Sequence, residues 1–128
     1  MKVVMVNGCF DPFHYGHLVH FYEARCLGTR LVVALTDDRY VNKGPNRPHF
    51  TAEQRKAVLM ALRGLVDDVY ISEAARPDYL IARLRPEVYC KGSDYRREDI
   101  AECAIVESYG GRVVFTDTPK WSSTAAMA

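Results

Sequence analysis

Two histidines three residues apart, His14 and His17, follow the turn-forming stretch Asn7-Gly8-Cys9-Phe10-Asp11-Pro12-Phe13. Gly8 and Gly16 permit tight turns and close approach of backbone to a ligand. Gly16 and His17 fall at the start of an expected helix, where unpaired amide N–H groups and the helix dipole favour a bound anion. Imidazoles at such a helix start can both direct N–H donors at one phosphate. The same residues allow two blander readings. In an arbitrary chain a His-x-x-His pair is read as capping or core histidines. Alternatively, Cys9, His14 and His17, with His20 in reserve, could ligate zinc. A zinc site gives no reason for Gly16 between the histidines or for Phe10-Asp11 before them, so no protein-held metal is expected.

The string Gly8-x-Phe10-Asp11-x-x-His14-x-Gly16-His17 resembles the signature of the cytidylyltransferase-like nucleotidyltransferases, the HxGH superfamily. The resemblance implies that Gly8, Cys9, Phe10, Asp11, Gly16 and both histidines bind the nucleotide. It also implies that His14 and His17 contact the triphosphate and stabilise the transition state. Other segments are similar to the family in the same order. Lys43 alone reads as a solvated lysine, but the family places a lysine in this loop on phosphates, with Arg47 a nearby reserve cation. Glu53-Gln54-Arg55 resembles a helix start whose arginine points back at the site; without the family, Arg55 is a surface charge or an ion-pair partner. Lys91-Gly92-Ser93-Asp94-Tyr95 reads as a turn, and it resembles the segment that helps hold nucleoside and acceptor. Trp121-Ser122-Ser123-Thr124 resembles the element that offers hydroxyls and amides to the β- and γ-phosphates, though Ser and Thr are also ordinary helix caps.

From this resemblance His14, His17, Lys43 and Arg55 are expected to be catalytic. Lys91, Gly92, Asp94, Trp121, Ser122, Ser123 and Thr124 are expected to complete the nucleotide site. Asp11, Asp37, Lys43 and Arg55 are expected to meet the acceptor, with Asp11 either orienting a histidine or lying near the metal. Mg²⁺ is expected to arrive with the triphosphate, which is ATP or CTP, and the acceptor to be a phosphorylated sugar or alcohol. The segments NGCFD, EQR at 53–55, RPEVYCKGSDY at 85–95 and GGRVV at 110–114 are most similar to the adenylyltransferase domains of ADP-heptose synthases. Glycerol-3-phosphate cytidylyltransferases are near relatives, but their usual arginine-containing stretch is not matched by Asp117-Thr118-Pro119-Lys120. That difference favours ATP. Relatives are commonly dimers, so a homodimer is expected. No counterpart of the heptose enzymes' sugar-kinase domain is present, so any such kinase is expected to be a separate protein.

The elements that must position these residues alternate in type. Short runs at 2–7, 31–35, 68–72, 87–90 and 112–116 read as strands, and the continuous apolar LVVAL at 31–35 as one buried on both faces. Between them, helices are expected at 16–28, from Thr51, at 78–84 and at about 97–108, with another starting at 122–124. Gly28 is placed to end the first helix. Its apolar face is expected to hold Leu18, Phe21, Tyr22 and Leu27. Thr51-Ala-Glu-Gln54 has the capping-box pattern, ahead of an apolar stripe of Val58, Leu59, Leu62 and Leu65. The proline-bearing stretch 37–50 reads as a loop. Five alternations call for an α/β fold: a single-domain, Rossmann-like, doubly wound parallel sheet of five strands spanning 1–128. Ligands of such sheets sit beyond the carboxyl ends of the strands, where the strand order reverses. Every segment named above leaves such an end. No GxGxxG follows any strand, which disfavours a dinucleotide-dependent dehydrogenase.

Composition excludes other classes. The net charge of +1 gives no global field for nucleic acid or an acidic membrane. No apolar run reaches the roughly 18 residues that span a bilayer. The start MKVVMVNG has no signal-peptide anatomy, and a cytosolic protein is expected. The four cysteines, Cys9, Cys26, Cys90 and Cys103, are scattered without a CxxC pair and are expected to be free thiols.

Overall fold

The structure, a computed structural model, describes residues 2–41, 44–92 and 100–116. Five strands, β1 (Val3–Gly8), β2 (Arg30–Thr36), β3 (Asp68–Ser72), β4 (Val88–Lys91) and β5 (Arg112–Phe115), form one sheet in the order β3-β2-β1-β4-β5. All pairings are parallel, and β1 takes the centre, with Val4 opposite Leu31 on one side and Val88 on the other. The chain leaves β1 towards β2 and β3, then jumps back across the sheet to β4 and β5. The strand order therefore reverses between β1 and β4. The expected Rossmann-like sheet is the observed one.

Among the described residues four α-helices cover the sheet: α1 (Tyr15–Arg25), α2 (Ala52–Met60), α3 (Asp78–Leu84) and α4 (Cys103–Ser108). Because side chains alternate across a strand, each strand feeds two cores. Val4, Val6, Leu31, Val33, Leu35, Val88 and Cys90 pack with Phe21 and Ala24 of α1 and Leu59 of α2. Met5, Val32, Ala34, Tyr89 and Val113 pack with Ile81 of α3 and with Cys103 and Val106 of α4. Parallel strands buried on both sides account for the unbroken apolar runs. Each fully buried Val or Leu contributes about 1.5–3 kcal/mol.

Several boundaries differ from the sequence expectation. Helix α1 ends at Arg25 with Cys26 as its C-cap, not at Gly28. Gly28 instead lies against β1: a Cβ there would stand 2.6 Å from the Lys2 carbonyl oxygen and 2.7 Å from Val4 Cγ2. Close approach, not helix termination, explains this glycine. Tyr22 is exposed while Phe21 is fully buried, so α1 turns a narrower face inward than expected. Helix α2 has its Thr51–Gln54 capping box but stops at Met60, and Val58 is exposed. Leu62 and Leu65 reach the core from the turns that follow. Helix α4 starts at Cys103, after the turn at residues 101–102. The expected helix start at 122–124 lies outside the described residues. Among those described, no helix is long and apolar enough to cross a membrane.

All four cysteines are free, and Cys90 and Cys103 are buried. Burial, reinforced by the nearby Glu23 charge, pushes the Cys90 thiol up to about 12. Because the thiolate is the reactive form, Cys90 should resist alkylation at neutral pH until the protein unfolds, while exposed Cys26 reacts; mass spectrometry after iodoacetamide treatment checks this. Gly28→Ala should cost about 1–3 kcal/mol, the usual cost of overpacking a tight site. An unchanged urea midpoint in that variant would mean that the start of β1 can move aside.

Candidate active site

The carboxyl ends of β1, β2 and β4 carry the residues that could do chemistry. From β1 the chain enters the turn 9–14 and then α1. Phe10 takes a left-handed backbone conformation (φ 49°). That conformation drives its ring inward, edge-on to His17 at 4.9 Å and to Phe21 at 5.1 Å. Gly8 makes room for it, since a Cβ at position 8 would meet the Phe10 ring at 3.0 Å. Phe13 lies on the His17 ring from another side, at 5.6 Å. His17 is thus held against aromatic neighbours.

The two histidines cap the helix for each other. His14 is the N-cap, and its Nδ1 accepts the Gly16 amide at 3.1 Å. His17 reaches back so that its Nδ1 accepts the His14 amide at 3.2 Å. This is the reciprocal logic of a capping box, built from imidazoles instead of Ser/Thr and Glu/Gln. The rings stack with centroids 3.7 Å apart. An Nδ1 that accepts an amide proton carries none itself, so in the neutral ring the proton sits on Nε2. The capping bonds therefore fix the tautomer. Capping is one of the bland readings of the pair, and here it is also what orients both rings as Nε2–H donors. His20, the reserve ligand of the zinc reading, pairs its Nδ1 with Thr116 Oγ1 at 3.0 Å.

Asp11 does not orient a histidine. Its fully buried carboxylate accepts from Arg47 Nε at 2.8 Å and from the amides of His49 at 2.7 Å and Phe50 at 2.9 Å. Arg47 also donates to the Asp11 carbonyl, and its side chain is 4% exposed. Burial alone would raise the Asp11 pKa, but the Arg47 and amide hydrogen bonds outweigh it and hold the carboxyl below its usual range. The site turn and the 47–50 segment are thereby latched together.

Arg55 was expected to point at reacting phosphates, and its guanidinium instead points into the scaffold. It is 2% exposed. Nη1 donates to the carbonyls of Cys9 and Thr36, both at 2.8 Å, Nε to that of Phe50 at 2.9 Å, and Nη2 to Asp38 Oδ1 at 2.7 Å. One side chain ties the ends of β1 and β2 to the loop before α2. Asp37, expected near the acceptor, pairs with Arg39 at 3.1 Å on the surface. Beside these residues an apolar cavity of about 190 Å³ is lined by Phe10, Pro12, Phe13, Phe50 and Val58, with Gln54 and Arg55 in its wall. Neither His14 nor His17 lines it, and its apolar walls suit no polyphosphate.

At the end of β4, Lys91 Nζ donates to Asn7 Oδ1 at 3.0 Å, and the buried Tyr89 hydroxyl contacts that same oxygen at 2.8 Å and Glu102 Oε2 at 2.9 Å. This bridge crosses between β1 and β4, where the strand order reverses. Gly92 follows Lys91 directly. Sequence reading singled out Lys91 and Gly92 but missed Asn7, Tyr89 and Glu102. Two-residue alternation from Met5 to Asn7 and from Tyr89 to Lys91 was the signal that could have found the pairs. Lys43, Asp94, Trp121, Ser122, Ser123 and Thr124 lie outside the described residues.

A model of the family described as cytidylyltransferase-like matches residues 5–124. The bifunctional protein HldE of Pseudomonas fluorescens (strain SBW25) is 42% identical over 128 residues, and that of Pseudomonas syringae pv. syringae (strain B728a) 41%. Both alignments cover 98% of this chain but 27% of the relative, so the chain spans about a quarter of the length of these relatives. Among solved structures, a lipopolysaccharide core biosynthesis protein from Thermoplasma volcanium GSS1 shares the fold with TM-score 0.79 and 22% identity, over 94% of this chain and 99% of that one. Pantoate-beta-alanine ligase from Francisella tularensis does so with TM-score 0.63 and 14% identity, over 95% of this chain and 61% of that one.

Removing the Asp11 carboxylate would leave Arg47 buried without its counter-charge, and Asp11→Ala should cost about 3–5 kcal/mol. Because the folded-state pKa is lowered, the carboxylate's contribution is complete above the unfolded value of about 3.9 and fades as pH falls through the folded value. Urea titrations at pH 6 and pH 3 should therefore show the gap between wild type and Asp11→Asn narrowing in acid. A gap independent of pH would contradict this account.

Proposed function

The chain belongs to the cytidylyltransferase-like family, and from that premise we propose that it transfers AMP from ATP to the phosphate of a sugar 1-phosphate of the heptose type. The observation that carries the reading is the reciprocal histidine cap at α1. It aligns two Nε2–H donors at a helix N-terminus, where the dipole adds to the attraction for a polyphosphate. The choice of ATP and of a sugar acceptor is supported by the segments similar to ADP-heptose synthase adenylyltransferases and by 42% identity to HldE.

In the proposed reaction an acceptor phosphate oxygen attacks the α-phosphorus. A new P–O bond forms in line with the bond that breaks, and the leaving pyrophosphate takes up that electron pair. The triphosphate enters as its Mg²⁺ complex and is substrate in that form. A phosphate monoester has its second pKa near ~6, so the nucleophile is already anionic at neutral pH and no general base is needed. The work left to the protein is alignment and stabilisation of charge around phosphorus. His14 and His17 donate to phosphate oxygens. Lys43, Ser123 and Thr124 are assigned to the triphosphate on the family resemblance. Arg55 and Asp11 act as positioning residues, since their polar atoms hold the loops that frame the site.

Pyrophosphate release, measured with ATP and CTP side by side against sugar 1-phosphates and alcohol phosphates, tests the assignment. ATP with a sugar 1-phosphate should be fastest. A clear preference for CTP with an alcohol phosphate would replace this reading, and nucleotide binding without turnover on any acceptor would reject it. His17→Ala should lower kcat by about 10²–10³ and cost about 1 kcal/mol through the lost cap. His17→Glu restores a capping-box acceptor and should recover that stability without recovering turnover. Full activity in either variant would remove His17 from the chemistry.

A further inference from the structure

The Asn7–Lys91 bridge has a chemical consequence that rests on the reading above. An ammonium group has three donors and no acceptor. The Asn7 atom 3.0 Å from Lys91 Nζ must therefore be the carbonyl oxygen, so Lys91 itself fixes which way the amide faces. The Tyr89 hydroxyl stands 2.8 Å from that oxygen and 2.9 Å from Glu102 Oε2, so its single proton is shared between two acceptors. Tyr89 is fully buried and its hydroxyl also meets the buried Glu102 carboxylate. The amide cannot flip without setting N–H against N–H. Its Nδ2, with two donors, is held on the opposite side, and among the described residues nothing accepts from it.

Position matters as much as orientation. Asn7 is the second-last residue of β1, half-buried, at the end of the central strand. Its partner is the last residue of β4, so the bridge spans the reversal in strand order, where ligands of such sheets bind. Asn7 follows Met5 on the α3/α4 side of the sheet, while the histidines stand at the start of α1, on the other side. A substrate whose phosphates lie at the histidines and which crosses the end of β1 meets this amide next. The neighbouring charge is positive: Lys91 touches Asn7 directly, and Glu102, the carboxylate in this group, lies behind the Tyr89 hydroxyl.

We infer that Asn7 is a substrate-contacting residue, that its Nδ2–H donates to an anionic phosphate oxygen, and that Lys91 and Tyr89 are the positioning residues that aim it. Both substrates of the proposed reaction carry such an oxygen, the nucleoside triphosphate and the phosphorylated acceptor. Asn7→Asp separates ligand contact from structure. It keeps an acceptor for Lys91 and Tyr89 but replaces the donor with a second acceptor and cancels the local positive charge. Thermal stability should be retained, while kcat/KM falls about 10- to 100-fold, the size expected for one lost charge-stabilising donor. In uniformly ¹⁵N-labelled wild type, the Asn7 side-chain amide resonances should shift on adding either α,β-methylene-ATP with Mg²⁺ or glucose 1-phosphate. The probe that moves them identifies which phosphate is read. Asn7→Asp with wild-type kcat/KM, or amide resonances unmoved by both probes, would overturn the inference. If wild type released no pyrophosphate with any substrate pair, the reaction proposed above would fail, and the titration would still decide the role of Asn7.

Discussion

Backbone carbonyls at the ends of parallel strands face the place where substrate must bind, and something has to fix them without blocking it. Here the Arg55 guanidinium does so from below. Its planar fork reaches the carbonyl of Cys9 after β1, that of Thr36 at the end of β2 and that of Phe50 before α2, and a fourth bond goes to Asp38. Lysine could not reproduce this, since a point-like ammonium lacks the fixed divergence of donors. The Asp11 carboxylate completes the clamp by drawing the 47–50 segment onto the turn that precedes the histidines. Two buried charged groups thereby set where the turn that carries the histidines stands.

Above that clamp the fold divides labour between its two faces. The α1 side supplies imidazoles and a helix dipole, suited to a polyphosphate. The α3/α4 side supplies a neutral amide locked by a lysine and a tyrosine, suited to reading one oxygen. Central placement of β1 lets a single strand deliver both, through Gly8 and the turn to one side and through Asn7 to the other.

The parallel sheet was legible from the alternation of five short strands with helices, clearest at β2 where burial on both sides leaves an unbroken apolar run, and the Thr51–Gln54 cap was legible because its residue types and spacing leave few alternatives. The histidine pair read either as an anion site or as caps; the cap bonds are present, but their reciprocal form was not legible, because Ser, Thr, Glu and Gln are the residues that ordinarily signal a capping box. Arg55 and Asp11 were noticed as charged residues near a site. Their orientation was not legible, since it depends on carbonyls and amides brought together from segments up to 46 residues apart. Gly28 misled for a related reason: a glycine after a helix pattern reads as a terminator, whereas tertiary contact with β1 is what requires it. Asn7 was legible only as part of the Asn7–Asp11 stretch; alternation along β1 and β4 hints at its side, and its meaning comes from Lys91 and Tyr89 across the ladder.

Because each imidazole of the capping pair is anchored by a backbone amide and pressed against the other, both rings lose their rotational freedom when the chain folds, not when substrate arrives. The entropy of ordering two rotors is thus charged to the folding equilibrium and subtracts nothing from ligand affinity. The same arrangement makes the geometry tolerant of solvent and temperature as long as α1 keeps its first turn. Fraying of that turn would disorder the donors and the helix start in one event.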